Sequence, residues 1–425
     1  MESLPEERPQ SEEIGLPQYF RWNYLMHILE GGLCIGGGSF IAPSTVLPKV
    51  VESLGGPAWL ISLMPIMMLV GFVWPPLFTA HWVESLSRVK PAVLVSGLLQ
   101  RLPYLVAGVV LLGFAGNSRG LALAAVALAP FISGLFGGIT LTAWLELVTK
   151  TVPDNKRSSV WALRFIFASA IGIAAGGVIT ATLDRYPGVK GYGILHLIAF
   201  GLQFASYLLF ATIRETTPSI QAERNSSNLR QNLRSVPSLI WSDGRLFSYL
   251  VSRSFMNGIF IMTPFLTIYA LRVLDRPESY IGYLVVAQML GGIFGNLVAG
   301  PLGDRYGGKM PMVVSRFVFL LLAVWGCFAK TEPEFLGILF LFGGALYCNQ
   351  VGTTTLSIEI CPPERRATYL AIMSTLTMPT TLLASGVSTV IWTLTESFAL
   401  LSAVTAATIV LSLAFLVRIE EPRGR

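Results

Sequence analysis

The stretch Gly300-Pro301-Leu302-Gly303-Asp304-Arg305-Tyr306-Gly307-Gly308-Lys309 joins two apolar runs, 279 to 301 and 311 to 329. A run of roughly 20 apolar residues crosses a hydrocarbon core about 30 Å thick as a helix. A short charged turn between two such runs lets the chain leave the bilayer and re-enter it at once. Glycine permits the tight reversal, and the charges stay at headgroup level.

The same alternation extends in both directions from this turn. Apolar spans are expected at 22 to 47, 58 to 80, 91 to 115, 120 to 147, 158 to 183, 191 to 213, 246 to 272, 279 to 301, 311 to 329, 335 to 359, 367 to 393 and 397 to 417. With 53% hydrophobic and only 13% charged residues, little is left for a water-soluble domain. A bilayer forces each spanning backbone to satisfy its own hydrogen bonds, so the expected class is an all-α membrane protein of twelve transmembrane helices.

Net charge is +6, which by itself would fit a nucleic-acid surface. Of the 30 Lys and Arg, however, 19 fall in the tails and even-numbered loops, so membrane spans interrupt any basic surface. The excess of positive charge on the cytoplasmic side then places both termini in the cytoplasm and excludes nucleic acid as a partner. Residues 1 to 20 have neither a basic n-region nor an apolar h-region, so a cleaved signal peptide is not expected. Cys34, Cys327, Cys348 and Cys361 lie in spans or at a helix end and imply no disulfide framework.

The longest polar interruption divides the spans six and six. The expected organisation is a cytoplasmic tail at 1–21, a six-helix bundle at 22–213, a cytoplasmic linker at 214–245, a second six-helix bundle at 246–417 and a tail at 418–425. Landmarks recur across the linker in the same order. Gly37 and Pro43 return as Gly258 and Pro264, Gly71 as Gly291, and Glu84 as Asp304. Leu135-Phe136-Gly137-Gly138 returns as Leu341-Phe342-Gly343-Gly344, and the run from Pro153 to Arg157 is echoed from Pro362 to Arg366. Two pseudo-symmetric bundles are the simplest account of a repeat on this scale.

The turn at 300–309 resembles the cytoplasmic motif of the major facilitator superfamily, G-x-L-a-D-r-x-G-r-k. Gly300, Asp304, Arg305, Gly307 and Lys309 match it, while Gly308 replaces a basic residue. The first-half copy keeps Glu84 and Arg88 but neither family glycine. The resemblance implies that these residues form a cytoplasmic gate and that two bundles rock about a midplane site. It also makes spans 1, 4, 7 and 10 cavity-lining. It does not extend to the drug–proton antiporter pattern. Gly172 to Gly177 lacks that group's proline, and span 4 lacks its arginine.

Ionisable side chains inside spans cost several kcal/mol unless paired or hydrated, so they are the sharpest functional candidates. His27, Glu30, Arg101, Arg164 and Arg253 form the candidate proton and ion-pair set. Arg101 and Glu30 both lie about 15 Å deep at 1.5 Å per residue, which suggests a pair within the first bundle. Arg253, near the repeat position of Glu30, offers a competing contact between halves. Glu146, His196, Arg316 and Glu359 are near enough to span ends to snorkel toward water. The amides Asn257, Asn349, Gln350 and Gln288 are the candidate substrate contacts, with helix-to-helix bonding as the alternative for each.

The functional expectation is a secondary active transporter of a small organic solute, working by alternating access, coupled to protons and monomeric in the cell membrane. The alternative is a sensor or scaffold on the same fold. The three histidines, His27, His81 and His196, show no H-E-x-x-H spacing, and no phosphate-cradling G-x-x-x-x-G-K-[ST] occurs. No enzyme activity, metal or cofactor is therefore expected.

Overall fold

The computed structural model describes residues 19–84, 86–215, 242–361 and 366–420. The tail to residue 18, the linker residues 216–241, Ser85, residues 362–365 and the last five residues lie outside that description. So do the side chains of His81 and Glu84.

The expected spans appear as helices. Among the described residues ten are long and apolar enough to cross a membrane: Phe20–Ser53, Lys90–Gly113, Arg119–Thr151, Ser159–Arg185, Val189–Ala211, Gly244–Leu274, Glu278–Tyr306, Lys309–Gly326, Glu332–Ile360 and Phe398–Val417. Span 2 is broken into Ala58–Leu63, Met67–Val73 and Pro75–Glu84, because Pro65 and the Pro75-Pro76 pair remove backbone donors. Span 11 is Arg366–Thr395, whose hydropathy is diluted by Thr375, Thr377, Thr380 and Thr381. Large apolar side chains face outward, as a lipid-facing surface requires, with Leu394 77% exposed.

Local chemistry sets the helix starts. Asp243 Oδ1 accepts from the backbone N–H of Arg245 at 3.0 Å and of Leu246 at 3.1 Å, capping span 7. Thr331 and Glu334 form a reciprocal capping box at the start of span 10. Span 1 changes direction after Gly37, passing through a tighter turn at Gly38–Ile41 before Val46–Ser53. Span 7 breaks at the related place, between Gly244–Met256 and Ile259–Leu274.

The repeat has a packing reason. A Cβ at Gly71 of span 2 would strike the backbone oxygen of Phe131 in span 4, and one at Gly291 of span 8 would strike that of Phe340 in span 10. Glycine lets these helix pairs approach at backbone distance. Helix contacts repeat accordingly. Span 1 packs on spans 5 and 6 as span 7 packs on 11 and 12, and span 4 packs on 2 and 3 as span 10 packs on 8 and 9. Between halves, span 5 meets span 8 and span 2 meets span 11, a pair of contacts that the same symmetry interchanges.

The halves join unevenly along their length. Toward the termini each half has its own apolar core, one around Met26, Val89, Leu147 and Phe210, the other around Leu246, Met312, Leu356 and Leu416. Toward the opposite end one continuous core draws on both halves, including Val46, Leu60 and Ile179 with Ile268, Leu284 and Trp392. Polar contacts strengthen that far end. Ser53 Oγ donates to Glu278 Oε1 at 2.6 Å, Lys49 lies 3.7 Å from Glu278, and Arg272 lies 3.7 Å from Glu52. Thr180 Oγ1 donates to the carbonyl of Ser279 at 3.1 Å.

Candidate functional site

Span 1 carries Glu30 into the middle of the first half, where spans 3 and 5 bring two guanidinium groups against it. Arg164 Nη1 stands 3.1 Å from Glu30 Oε2, and Arg101 Nη2 stands 4.0 Å from Glu30 Oε1. All three side chains are buried, at 4% to 5% exposure, so the charges interact in a medium of low dielectric constant. The cluster holds two cations and one anion.

The two arginines are held differently. Arg101 Nε donates to the carbonyl of Gln203 at 2.7 Å, Nη1 to that of Gly97 at 2.6 Å and Nη2 to Ser206 Oγ at 3.2 Å. Its donors are thus largely used by spans 3 and 6. Arg164 instead lies over the rings of Trp144 and Trp161, 4.9 and 5.3 Å from their centroids. Its Nε and Nη1 have no hydrogen-bond acceptor among the described residues. The contact with Glu30 is therefore an attraction of charges at hydrogen-bond distance but without hydrogen-bond alignment. Small residues on span 1 make room for this arrangement, since a side chain at Gly31 would collide with the Arg164 guanidinium.

A cavity of about 320 Å³ opens beside the cluster, lined by Glu30, Arg101 and Arg164 together with Trp144, Trp161 and Tyr207. A second cavity of about 330 Å³ lies between the halves, with Ser39, Ser44 and Gln203 on one side and Gln288 and Tyr347 on the other. Cys34, Ile35 and Gln100 border both, so the two spaces adjoin. Ser44 Oγ donates to Gln288 Oε1 across the halves at 3.2 Å.

The remaining candidates are distributed as follows. His27 is fully buried one turn before Glu30, with Nε2 bonded to Thr151 Oγ1 at 2.9 Å. Arg253 does not join Glu30, whose partners both come from the first half. It reaches Tyr249 instead, with Nη1 3.5 Å from the hydroxyl. The competing contact between halves is corrected accordingly, because the bend in span 7 leaves Arg253 on its own half. Asn257 Nδ2 donates to the carbonyl of Thr377 and to Thr380 Oγ1, both at 2.9 Å, tying span 7 to span 11. Asn349 Oδ1 accepts from Arg316 Nη1 at 2.6 Å. Gln350 is exposed, and of the four amides only Gln288 lines one of these two cavities.

Two expectations about snorkelling are corrected. Arg316 and His196 are wholly buried, because spans 10 and 12 close over the first and Tyr192 takes the second by its carbonyl. In the motif, Gly307 has φ 78°, a left-handed conformation that favours glycine. Lys309 Nζ donates to the carbonyls of Val417 and Ile419 at 3.2 and 2.5 Å, and the backbone N–H of Gly308 donates to Glu359 at 3.0 Å. Asp304 and Arg305 lie exposed and Gly300 half-buried on the same last turns of span 8, and Arg88 borders a shallow groove with Trp82. A Cβ at Gly308 would enter the backbone of Leu356, which explains why no basic residue stands there. Trp144, Trp161, Tyr207 and Gln100 went unnoticed in the sequence. Aromatic residues are common in any span, and only helix rotation sets these toward the cavity.

Known proteins resemble this chain in part of its sequence and in its fold. The family model described as Major Facilitator Superfamily matches residues 254–425. The chain is 31% identical over 100 residues to the 4-hydroxybenzoate transporter PcaK of Pseudomonas aeruginosa, which covers 24% of this chain and 22% of that one. It is 34% identical over 94 residues to a gallate transporter of Pseudomonas putida, 22% and 21% of the two chains. To a D-xylose transporter of Levilactobacillus brevis it is 28% identical over 106 residues, 24% and 22%. The matched stretch thus spans about a fifth of the length of these relatives. Among solved structures, the nucleoside transporter NupG superposes with a TM-score of 0.73 at 13% identity, covering 94% of this chain and 100% of that one. A D-xylose-proton symporter gives 0.72 at 13% identity, covering 96% and 99%. Over so much of the chain, these likenesses establish the twelve-helix fold. With the apolar helices, they describe a multi-pass membrane protein with the fold of these transporters, whose second half matches the model of the major facilitator superfamily.

Proposed function

We propose that this protein is a secondary active transporter of a small organic solute, working by alternating access and coupled to protons through Glu30. The observation that carries the reading is a buried carboxylate held by Arg164 and Arg101 at the wall of a solute-sized cavity. The names of the relatives, transporters of 4-hydroxybenzoate, gallate and D-xylose, support a small organic solute.

The uneven joining of the halves supports alternating access. Here they share a core at the end away from the termini and keep separate cores at the other. With both termini in the cytoplasm, this is a state open inward. Rocking about the contacts of spans 5 with 8 and 2 with 11 would part the far end and bring the 300–309 turn and the first-half loop together as a gate. Gln288 and Tyr347 are the contacts contributed by the second half. Asn257 and Asn349 are left with structural roles in this state, and Gln350 stands exposed.

Burial of the Glu30 carboxylate supports proton coupling. The ionisable groups facing it are Arg101 from span 3, Arg164 from span 5, His27 and Cys34 on its own span and Tyr207 from span 6. Hydration of the cavity or movement of spans 3 and 5 would change the charges that face it. The site is complete within one chain, so a monomer suffices. Uptake into proteoliposomes under an imposed pH gradient tests the reading. Gradient-driven accumulation by the wild type and its loss in Glu30→Gln are expected. Full accumulation by the variant would remove Glu30 from the coupling.

A further inference from the structure

We propose that the second bundle binds a small inorganic monoanion such as chloride on Arg253 of span 7, in the field of Arg316 of span 9. The site is separate from the Glu30 cavity, and the inference goes beyond the transport reading.

Charge comes first. Spans 7, 9, 11 and 12 contain no Asp or Glu, and the acids of spans 8 and 10 stand at the ends of those spans. Glu359, two residues beyond Ser357, points to another side of span 10 and accepts from the backbone N–H of Gly308 at 3.0 Å. Neither Arg253 nor Arg316 forms an ion pair among the described residues; their hydrogen bonds go to neutral oxygens. The interior of this bundle therefore carries two cations without a counter-charge, whereas Glu30 supplies one in the first bundle. An uncompensated charge within a membrane is costly, and an anion taken from solution lowers that cost.

One polar strip of span 10 brings the two cations into relation. Asn349, Thr353 and Ser357 recur every four residues and so share a face about 12 Å long. At one end Asn349 Oδ1 takes Arg316 Nη1 at 2.6 Å, and at the other Ser357 Oγ lies 2.5 Å from the Tyr249 hydroxyl. Tyr249 in turn meets Arg253 Nη1 at 3.5 Å. Across this strip the two guanidiniums act on each other as like charges. Arg316 is wholly buried, and its Nη2 has no acceptor among the described residues.

Access and proton direction decide the ligand. Arg253 is only half-buried and belongs to the end where the halves keep separate cores, so an ion from the water there can reach it. Arg316 is enclosed and contributes its charge alone. Ser357 gives its own proton to the carbonyl of Thr353 at 2.6 Å, so Tyr249 donates to Ser357, and its oxygen is left to accept from Arg253. Thr353 is likewise turned to Asn349 Oδ1, at 3.5 Å. With the hydroxyls committed, the remaining donors are those of Arg253, which makes no other hydrogen bond or ion pair among the described residues. A spherical monoanion needs few donors and a strong field. A dianionic oxyanion needs donors for each of its oxygens, and the strip does not offer them.

Equilibrium dialysis of radioactive chloride against the purified full-length protein, in gluconate buffer of constant ionic strength, tests this without any gradient. Saturable binding of one ion per chain is expected, with a rise in the thermal unfolding midpoint that follows the same saturation. Arg253→Gln should weaken chloride at least about tenfold, and Arg253→Lys, which keeps the charge, by less. In chloride-free buffer Arg253→Gln should unfold no earlier than the wild type, because the repulsion of Arg316 goes with the guanidinium. Glu30→Gln should bind chloride as the wild type does, since the site lies in the other bundle. No saturable chloride binding, full affinity in Arg253→Gln, sulfate binding more tightly than chloride, or a chloride affinity that changes in Glu30→Gln would overturn the inference. Failure of gradient-driven accumulation would leave chloride binding untouched, and absence of chloride binding would leave the transport reading standing.

Discussion

Arg164 Nη1 lies 3.1 Å from Glu30 Oε2 inside the first bundle, with Arg101 Nη2 4.0 Å from the other carboxylate oxygen. Removing one member of a buried ion cluster strands the others. Glu30→Ala leaves two guanidiniums facing each other without their counter-ion and should cost about 3–5 kcal/mol of stability. Thermal unfolding in detergent checks this. Adding Arg164→Gln to Glu30→Ala should recover part of the loss, because the mutual repulsion goes with it.

Glu278 is the centre of the far-end junction, taking Ser53 at 2.6 Å and Lys49 at 3.7 Å. These groups are partly exposed, so each contact is worth only about 0.2–1 kcal/mol. That is still enough to shift a two-state balance severalfold. In Glu278→Gln, a cysteine placed at the buried Ser279 should react with maleimide several times faster than in the parent. Unchanged reactivity would mean that the junction is not a latch.

The motif glycines should separate by what surrounds them. A Cβ at Gly300 meets open space, whereas one at Gly308 collides with the span 10 backbone at Leu356. Gly300→Ala should leave unfolding within about 0.5 kcal/mol of wild type. Gly308→Ala should lose about 1–3 kcal/mol by overpacking.

Asn349 tests whether the buried arginine of the second half is structural. Its carbonyl takes Arg316 at 2.6 Å, and the other bonds of that guanidinium go to Ser315 and Ser412 at 3.1 and 2.9 Å. Asn349→Ala should cost about 1–3 kcal/mol of stability by stranding a charged donor. Solute affinity should stay unchanged, because Asn349 borders neither cavity.

Much of this was legible in the sequence because lipid imposes simple rules on it. Span positions followed from apolar length, and the repeat followed from glycines whose contacts recur at Gly71 and Gly291. The depths of Glu30 and Arg101 came from counting along the helix. What counting does not supply is rotation about the helix axis. Arg164 stood in the candidate set, yet its place as the shorter partner of Glu30 depends on the face that span 5 turns inward. For the same reason Asn257 and Asn349 are indistinguishable in sequence from Gln288, although only the last of them reaches the shared cavity. Arg316 misled in another way. Its short distance from the end of span 9 allowed snorkelling, but packing by spans 10 and 12 bars the route.

Reciprocal movement of the two ends tests alternating access most directly. Spin labels at Asn117 and Lys330 report on the far end, and labels at Lys156 and Met310 on the end near the termini, in protein with its four cysteines replaced. Pulsed electron–electron distances should show one dominant far-end population in the wild type. In Glu278→Gln the far-end distance should lengthen while the near-end distance shortens, in matching fractions. Far-end lengthening without near-end shortening, or a single fixed distance at both ends in both proteins, would contradict the account.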